Sequence, residues 1–394
     1  MNLDPLLDRS INQISNRLSE IEYKYLANAG KSIAQILAMS NEELRTFLYS
    51  GGVLDLANHD LARIRRELNA AHRANVQEMK QLARNVTATV YEEGADIAEA
   101  KGETISPKKA YTAAVNPLLA GVMRNYEIMS KSVAINDTYK KTITRLANQI
   151  MSDDDRISAP SALRKAVADL NQEGISFVDF RNGRKMRLDS AVRNSLFTEM
   201  TNIVHEVSNK VGEELGSQHT EVSAHIAPAD DHADIQGQVF ENSEFEKLQA
   251  GEIAEDIDGN KHQTIRPIGF WNCKHVIFPF FLGISERAYE QKDLNNYLKN
   301  NEKGIEWNGE RISLYDATQV QRRIETELRR NRGALEIVRQ VAGVDPAFQH
   351  DKSVLNRRIK GLRAEYDRLG DILKPHAIRS KAERSYNIAA RANR

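Results

Sequence analysis

EVSAHIAP at residues 221–228, DHADIQGQVF at 231–240 and NCKHVIFPF at 272–280 decide how this chain is read. Val222, Ala224 and Ile226 alternate with Glu221, Ser223 and His225, the period-two pattern of a half-buried strand. Asp258, Gly259 and Asn260 form a turn signal that predicts a hairpin leading into a strand carrying Cys273 and His275. The same stretch holds the only cysteine, four of the ten histidines and the longest apolar run, 276–284. A small sheet module is expected here, between helical flanks. The predicted fold class is α+β, predominantly helical, with long flanking helices around a small central β-hairpin and sheet module.

Toward the N-terminus, Leu7, Ile11, Ile14, Leu18, Ile21 and Tyr25 recur at alternating steps of four and three, a heptad seam. Such a stripe packs on its own chain or docks on a partner helix, and spacing leaves both open. Ser40 and Glu43 predict a capping box for a second helix, which Gly51 and Gly52 end. One long helix is expected over 58–100, broken by Gly102 and Pro107, and a further helical region over 117–150. Asp153, Asp154 and Asp155 read as a solvated link, since no calcium-loop glycine or distal glutamate accompanies them. Residues 175–180 alternate like a strand, and Asn182-Gly183 signals a hairpin. A helix is expected over 191–215, closed by Gly216.

Toward the C-terminus, Gly304, Asn308 and Gly309 predict a loop, followed by a basic amphipathic helix from Tyr315. A last helix carries Val354, Ile359, Leu362, Tyr366, Leu369 and Leu373 up to Pro375. The chain divides into N-terminal helices with the seam (1–57), a long-helix region (58–170), the central α+β module (171–315), and basic C-terminal helices and tail (316–394).

The 55 basic and 55 acidic residues cancel, so no global charge draws the chain to nucleic acid or membrane. Their distribution is uneven. Residues 221–260 hold 11 acids against the single base Lys247, whereas 320–394 hold 18 Lys and Arg against 9 acids. Arg322, Arg323, Arg329, Arg330, Arg357 and Arg358 could track a phosphate backbone, or form a solvated face paired with Glu325 and Glu327. One cysteine excludes an internal disulfide framework. The first ten residues lack the pattern of a secretory signal, and the 276–284 run is too short to span a bilayer as a helix.

Cys273 and His275 would share one face of a strand, with His225 and His232 upstream. A thiolate and three imidazoles are a zinc donor set, although the spacing matches no finger pattern. The alternative is a set of hydrogen-bonded histidines in a polar core. Nucleophilic catalysis is disfavoured, because Trp271 and the 278–281 run predict a buried thiol of raised pKa. No phosphate-binding loop, dinucleotide fingerprint or catalytic triad signature is present, so no enzyme activity is expected.

VSAH at 222–225, His232-Ala233, QGQVF at 236–240 and NCKH at 272–275 together resemble the minor capsid protein family of tailed bacteriophages. This is the group called minor capsid 2, related to the Mu F-like head morphogenesis proteins. The 175–185 hairpin, AVR at 191–193 and QRRIE at 321–325 follow in the family's order. IAPA at 226–229 and Ile235 stand where relatives usually have a Gly-Ala-Arg-Pro element and a tryptophan. The resemblance implies a virion protein inside the head near the portal vertex, acting in head morphogenesis, with genome delivery as a further role. The partners it implies are the portal protein, the major capsid protein and packaged DNA, with several copies per virion, assembly in the host cytoplasm and no membrane step. No cofactor is implied beyond the zinc that the residues themselves suggest. The seam residues Leu7, Ile11, Ile14, Leu18 and Ile21 are then the candidate partner-docking stripe, and the six arginines the DNA-facing set.

Overall fold

The first helix, α1 (Asp4–Ala38), is apolar on more than the one predicted stripe, and the other helices assemble around it. The computed structural model describes residues 4–132, 135–152, 159–178, 183, 185–269, 273 and 275–378. The Asp153–Asp155 run, the hairpin residues Asp179, Phe180 and Asn182, Trp271 and the tail beyond residue 378 lie outside them. Helix α2 (Asn41–Tyr49) carries the expected box: Ser40 Oγ accepts the Glu43 N–H, and Glu43 accepts the Ser40 N–H at 2.8 Å. Gly51 then turns the chain directly into α3 (Gly52–Lys101), a 50-residue helix that begins earlier than its polar face suggested. Helix α4 (Lys108–Lys131) also starts early, with Pro107 at its N-cap and Pro117 inside it. Proline is tolerated at a helix start because the lost N–H has no intrahelical partner there. Helices α5 (Ile135–Met151) and α6 (Ala159–Glu173) complete the first half.

Next come β1 (Ser176–Val178) and β2 (Lys185–Arg187), the antiparallel hairpin read from the sequence, and then α7 (Leu188–Glu214). The module follows: β3 (His219–Val222), β4 (Val239–Glu241), α8 (Asn242–Gln249), β5 (Ala254–Glu255), β6 (Lys261–His262) and β7 (Ile277–Phe280). In its three-stranded sheet β3 is central, antiparallel to both β4 and β7. Two expectations are corrected here. The first strand ends at Val222, so Ala224 and Ile226 lie beyond it. The Asp258-Gly259-Asn260 turn joins β5 to β6, and Cys273 and His275 precede β7 in irregular backbone. Helix α9 (Gln291–Lys303) leads to a hairpin of β8 (Ile305–Trp307) and β9 (Glu310–Ile312), then α10 (Leu314–Val341) and α11 (Gln349–Leu373). The predicted loop at 304–309 is thus a hairpin, with Asn308 and Gly309 both at positive φ, the pattern of a type I′ turn.

Helix α1 packs against α3, α7 and α10. Its seam, Leu7, Ile11, Ile14, Leu18, Ile21 and Tyr25, is buried, with Ile11 and Ile14 at 0% exposure. The partner-docking reading of the seam is therefore corrected: its apolar surface is already covered by the chain's own helices. The largest apolar cluster extends from Leu7 to Phe348 and takes side chains from all four sequence segments. Helices α1 and α10 approach closely at Gly30, where a Cβ would stand 2.7 Å from the Ile337 carbonyl oxygen of α10.

A polar knot sits inside this packing. Asp189 at the start of α7 accepts from Ser19 of α1 at 2.7 Å and pairs with Arg329 of α10 at 3.2 Å, with Arg187 of β2 at 3.9 Å. Burial pushes its carboxyl up, but Arg329, Arg187, Ser19 and the Ser190 N–H outweigh that and hold it below the usual range. Neighbouring Glu22, also in contact with Arg187, lacks that support, and burial raises it to about 7.

Two outcomes follow from this packing. Gly30→Ala gains about 1 kcal/mol of helix propensity but forces α1 off α10, costing about 1–3 kcal/mol. Chemical denaturation should show net destabilisation, and a more stable variant would contradict the close approach. Asp189→Asn should cost about 3 kcal/mol at pH 7. An acid with a depressed folded pKa contributes stability above its unfolded value near 4, and this is lost as pH falls further. The variant's deficit should therefore shrink in denaturation series taken below pH 4.

Candidate functional site

The module has its own small core of Val222, Ile235, Phe240, Phe245, Leu248, Ala254, Ile268 and Ile277. Around one end of it the chain brings together the four residues read as zinc donors. Past β3, Ser223 N–H donates to the Val276 carbonyl at 2.9 Å, and Val276 N–H donates back to Ser223 Oγ at 2.9 Å. This double tie holds the segment bearing His225 against the one bearing Cys273 and His275. Gln236, buried between them, accepts the His225 backbone N–H at 2.9 Å. A single 3-10 turn, Asp230–His232, points His232 inward.

Cys273 Sγ lies 3.5 Å from His232 Nδ1 and 3.3 Å from His275 Nδ1. Cys273, His232 and His275 are all buried, and one ligand atom of each falls within 4.8 Å of the others. The His225 ring is tilted against the His275 ring with centroids 4.5 Å apart, and the His232 ring meets His275 edge-on at 5.2 Å. His225 is half-buried, at the rim.

The His232 tautomer follows from its surroundings. Its Nε2 is 2.9 Å from the Arg266 carbonyl, which can only accept, so Nε2 carries the proton and Nδ1 offers a lone pair toward the sulfur. Arg266 is in turn gripped by Asp231 through two hydrogen bonds of 2.5 and 2.7 Å. Burial lowers the basicity of His232, and burial with the neighbouring His225 and His232 drives His275 well below the usual imidazole range. Burial also raises the Cys273 thiol. Below the cluster, His205 of α7 meets the His275 backbone and is itself held neutral by burial, its pKa lowered to about 4. The arrangement thus offers neutral imidazole lone pairs and a closed-in thiol, which suits coordination and not nucleophilic attack at neutral pH.

Sequence reading named the four donors but missed their supports, Ser223, Gln236, Asp231 and Arg266. Only the acid of DHAD next to His232 hinted at one of them. The arginines divide. Arg329 is consumed by Asp189 in the core, whereas Arg322, Arg323, Arg330, Arg357 and Arg358 are exposed, Arg330 lying 3.8 Å from Glu327.

The family model described as phage minor capsid protein 2 matches residues 53–363, from the start of α3 into α11, with the whole module inside the match. The chain belongs to the phage minor capsid protein 2 family. The resemblance read from the 222–240 and 272–275 motifs is thereby established, and with it a structural role in the virion. No curated protein and no solved structure gives a significant match to the minor capsid protein. Among the described residues, no helix is long and apolar enough to cross a membrane.

The buried Cys273 of the folded minor capsid protein should react with a thiol reagent far more slowly than a peptide thiol, by on the order of a hundredfold or more. Denaturant should release normal reactivity. Fast labelling of the native chain would show that the cluster is open to solvent.

Proposed function

We propose that this minor capsid protein resides inside the head at the portal vertex, contacts the portal protein, and acts in head assembly with its C-terminal arginines turned to packaged DNA. Membership of the minor capsid family carries the virion part of this reading. The distribution of the arginines supports the DNA-facing part. Helices α10 and α11 pack on each other through Leu314, Val320, Ile324, Leu328, Leu362, Tyr366 and Leu369, with β8 and β9 alongside. That burial turns Arg322, Arg323, Arg357 and Arg358 outward. Val354, an expected core residue of the last helix, is instead 43% exposed. A solvated helix face of this kind is where phosphate binding costs no core packing.

The portal contact is made by surface other than the α1 seam, which the chain covers itself.

Quantitative mass spectrometry of purified particles and of isolated portal complexes tests the location. Several copies per portal are expected, and absence from both would overturn the reading. Purified protein should bind duplex DNA with affinity that falls with salt. Each phosphate neutralised by a basic side chain adds about 0.9 to the steepness of that logarithmic dependence. Arg357→Glu with Arg358→Glu should therefore make it shallower by about twice that amount. Binding that ignores salt, or an unchanged slope in the double variant, would remove DNA from the set of partners.

A further inference from the structure

We infer that Cys273, His232 and His275, with His225 as fourth ligand, hold one tetrahedral zinc-class divalent cation that staples the module together. The distances are those of a coordination sphere. With Zn–S near 2.3 Å and Zn–N near 2.05 Å, a tetrahedron sets sulfur and nitrogen about 3.6 Å apart. Sγ stands 3.5 and 3.3 Å from the two Nδ1 atoms. The three ligand atoms lie within 4.8 Å of one another, a span that small ring rotations close around an ion.

Hydrogen bonding without a cation leaves this cluster incomplete. The thiol has one proton and two imidazole nitrogens facing it, and His232 Nδ1 has no proton to give because Nε2 donates to Arg266. With both facing nitrogens as lone pairs, the single thiol proton can serve only one of them, and a buried acceptor left unpaired costs free energy. A cation converts the crowding of lone pairs into bonds, with the thiol proton released to solvent as the thiolate forms. The His232–Arg266–Asp231 chain is the outer support that fixes a ligand ring, as metal sites commonly require. The ligands come from three separated stretches, around residues 225, 232 and 273–275, so one ion would close the loops between β3, β4 and β7. The role is structural, because four protein ligands leave no position for a substrate.

The test uses untagged full-length protein, loaded with zinc and passed through gel filtration, with metal measured by mass spectrometry. About one zinc per chain is expected, falling to under about a tenth in Cys273→Ser and His275→Ala and unchanged in His350→Ala, whose histidine is exposed elsewhere. His225→Ala should lower affinity at least about tenfold. Because the ligand variants can fail to fold, cobalt(II) is also titrated into the wild-type chain. A thiolate-to-cobalt charge-transfer band with intense tetrahedral d–d absorption is expected. Zinc under a tenth of an ion per wild-type chain, a cobalt spectrum without the thiolate band, or equal zinc in well-folded Cys273→Ser would each overturn the inference. These outcomes do not depend on where in the virion the protein lies.

Discussion

The burial of α1 is the constraint on which the rest of the structure depends. A helix covered by α3, α7 and α10 at once can be satisfied only when elements from both halves of the sequence close around it. Hydrophobic burial supplies the driving force, and the polar knot supplies the register. Asp189 fixes the start of α7 against Ser19 of α1 and Arg329 of α10, and a buried carboxylate tolerates no other arrangement without losing its cations. Glu22, one helical turn further along α1, shows the contrast. With support mainly from Arg187, its acid is pushed to about 7.

The module is carried on this helical frame and is built differently. Helix α7 runs out of the main core and passes against β7, and Ser217 then bridges the frame to the sheet by donating to the Phe280 carbonyl at 2.9 Å. The module's three-stranded sheet has strands of three and four residues over eight core side chains, a small apolar reserve for its length. Small units of this kind need extra ties. The Ser223–Val276 pair, the Asp231–Arg266 grip and the histidine–cysteine cluster are the ties this one has.

Much of this was legible in the sequence, for physical reasons that differ by element. The helices were readable because apolar spacing at three and four residues survives in any amphipathic helix, as at Leu61, Ile64 and Leu68 or at Leu362, Tyr366 and Leu369. Their starts were less so: Pro117 suggested a boundary, yet the helix runs through it from Lys108. The seam was visible but its partner was not, since a heptad stripe looks alike whether its cover comes from the same chain or another. Asn308-Gly309 carried a strong turn signal that went unread because the strands beside it are only three residues each. At the site, His225, His232, Cys273 and His275 stood out by type, but a strand was expected where the chain is irregular. What converges them is a set of backbone and side-chain ties from Ser223, Gln236 and Arg266, residues whose identity alone announces nothing.

The proposed function puts this minor capsid protein inside the head with its basic helices toward DNA, on a helical frame that encloses its own α1. An asymmetric cryo-electron microscopy reconstruction of the portal vertex in mature particles tests it most directly. The account predicts density for the chain within the head beside the portal, α1 enclosed by its own α3, α7 and α10, and the exposed face of α11 toward the genome. Density outside the capsid shell, or an α1 withdrawn from its own chain and laid against the portal, would contradict it.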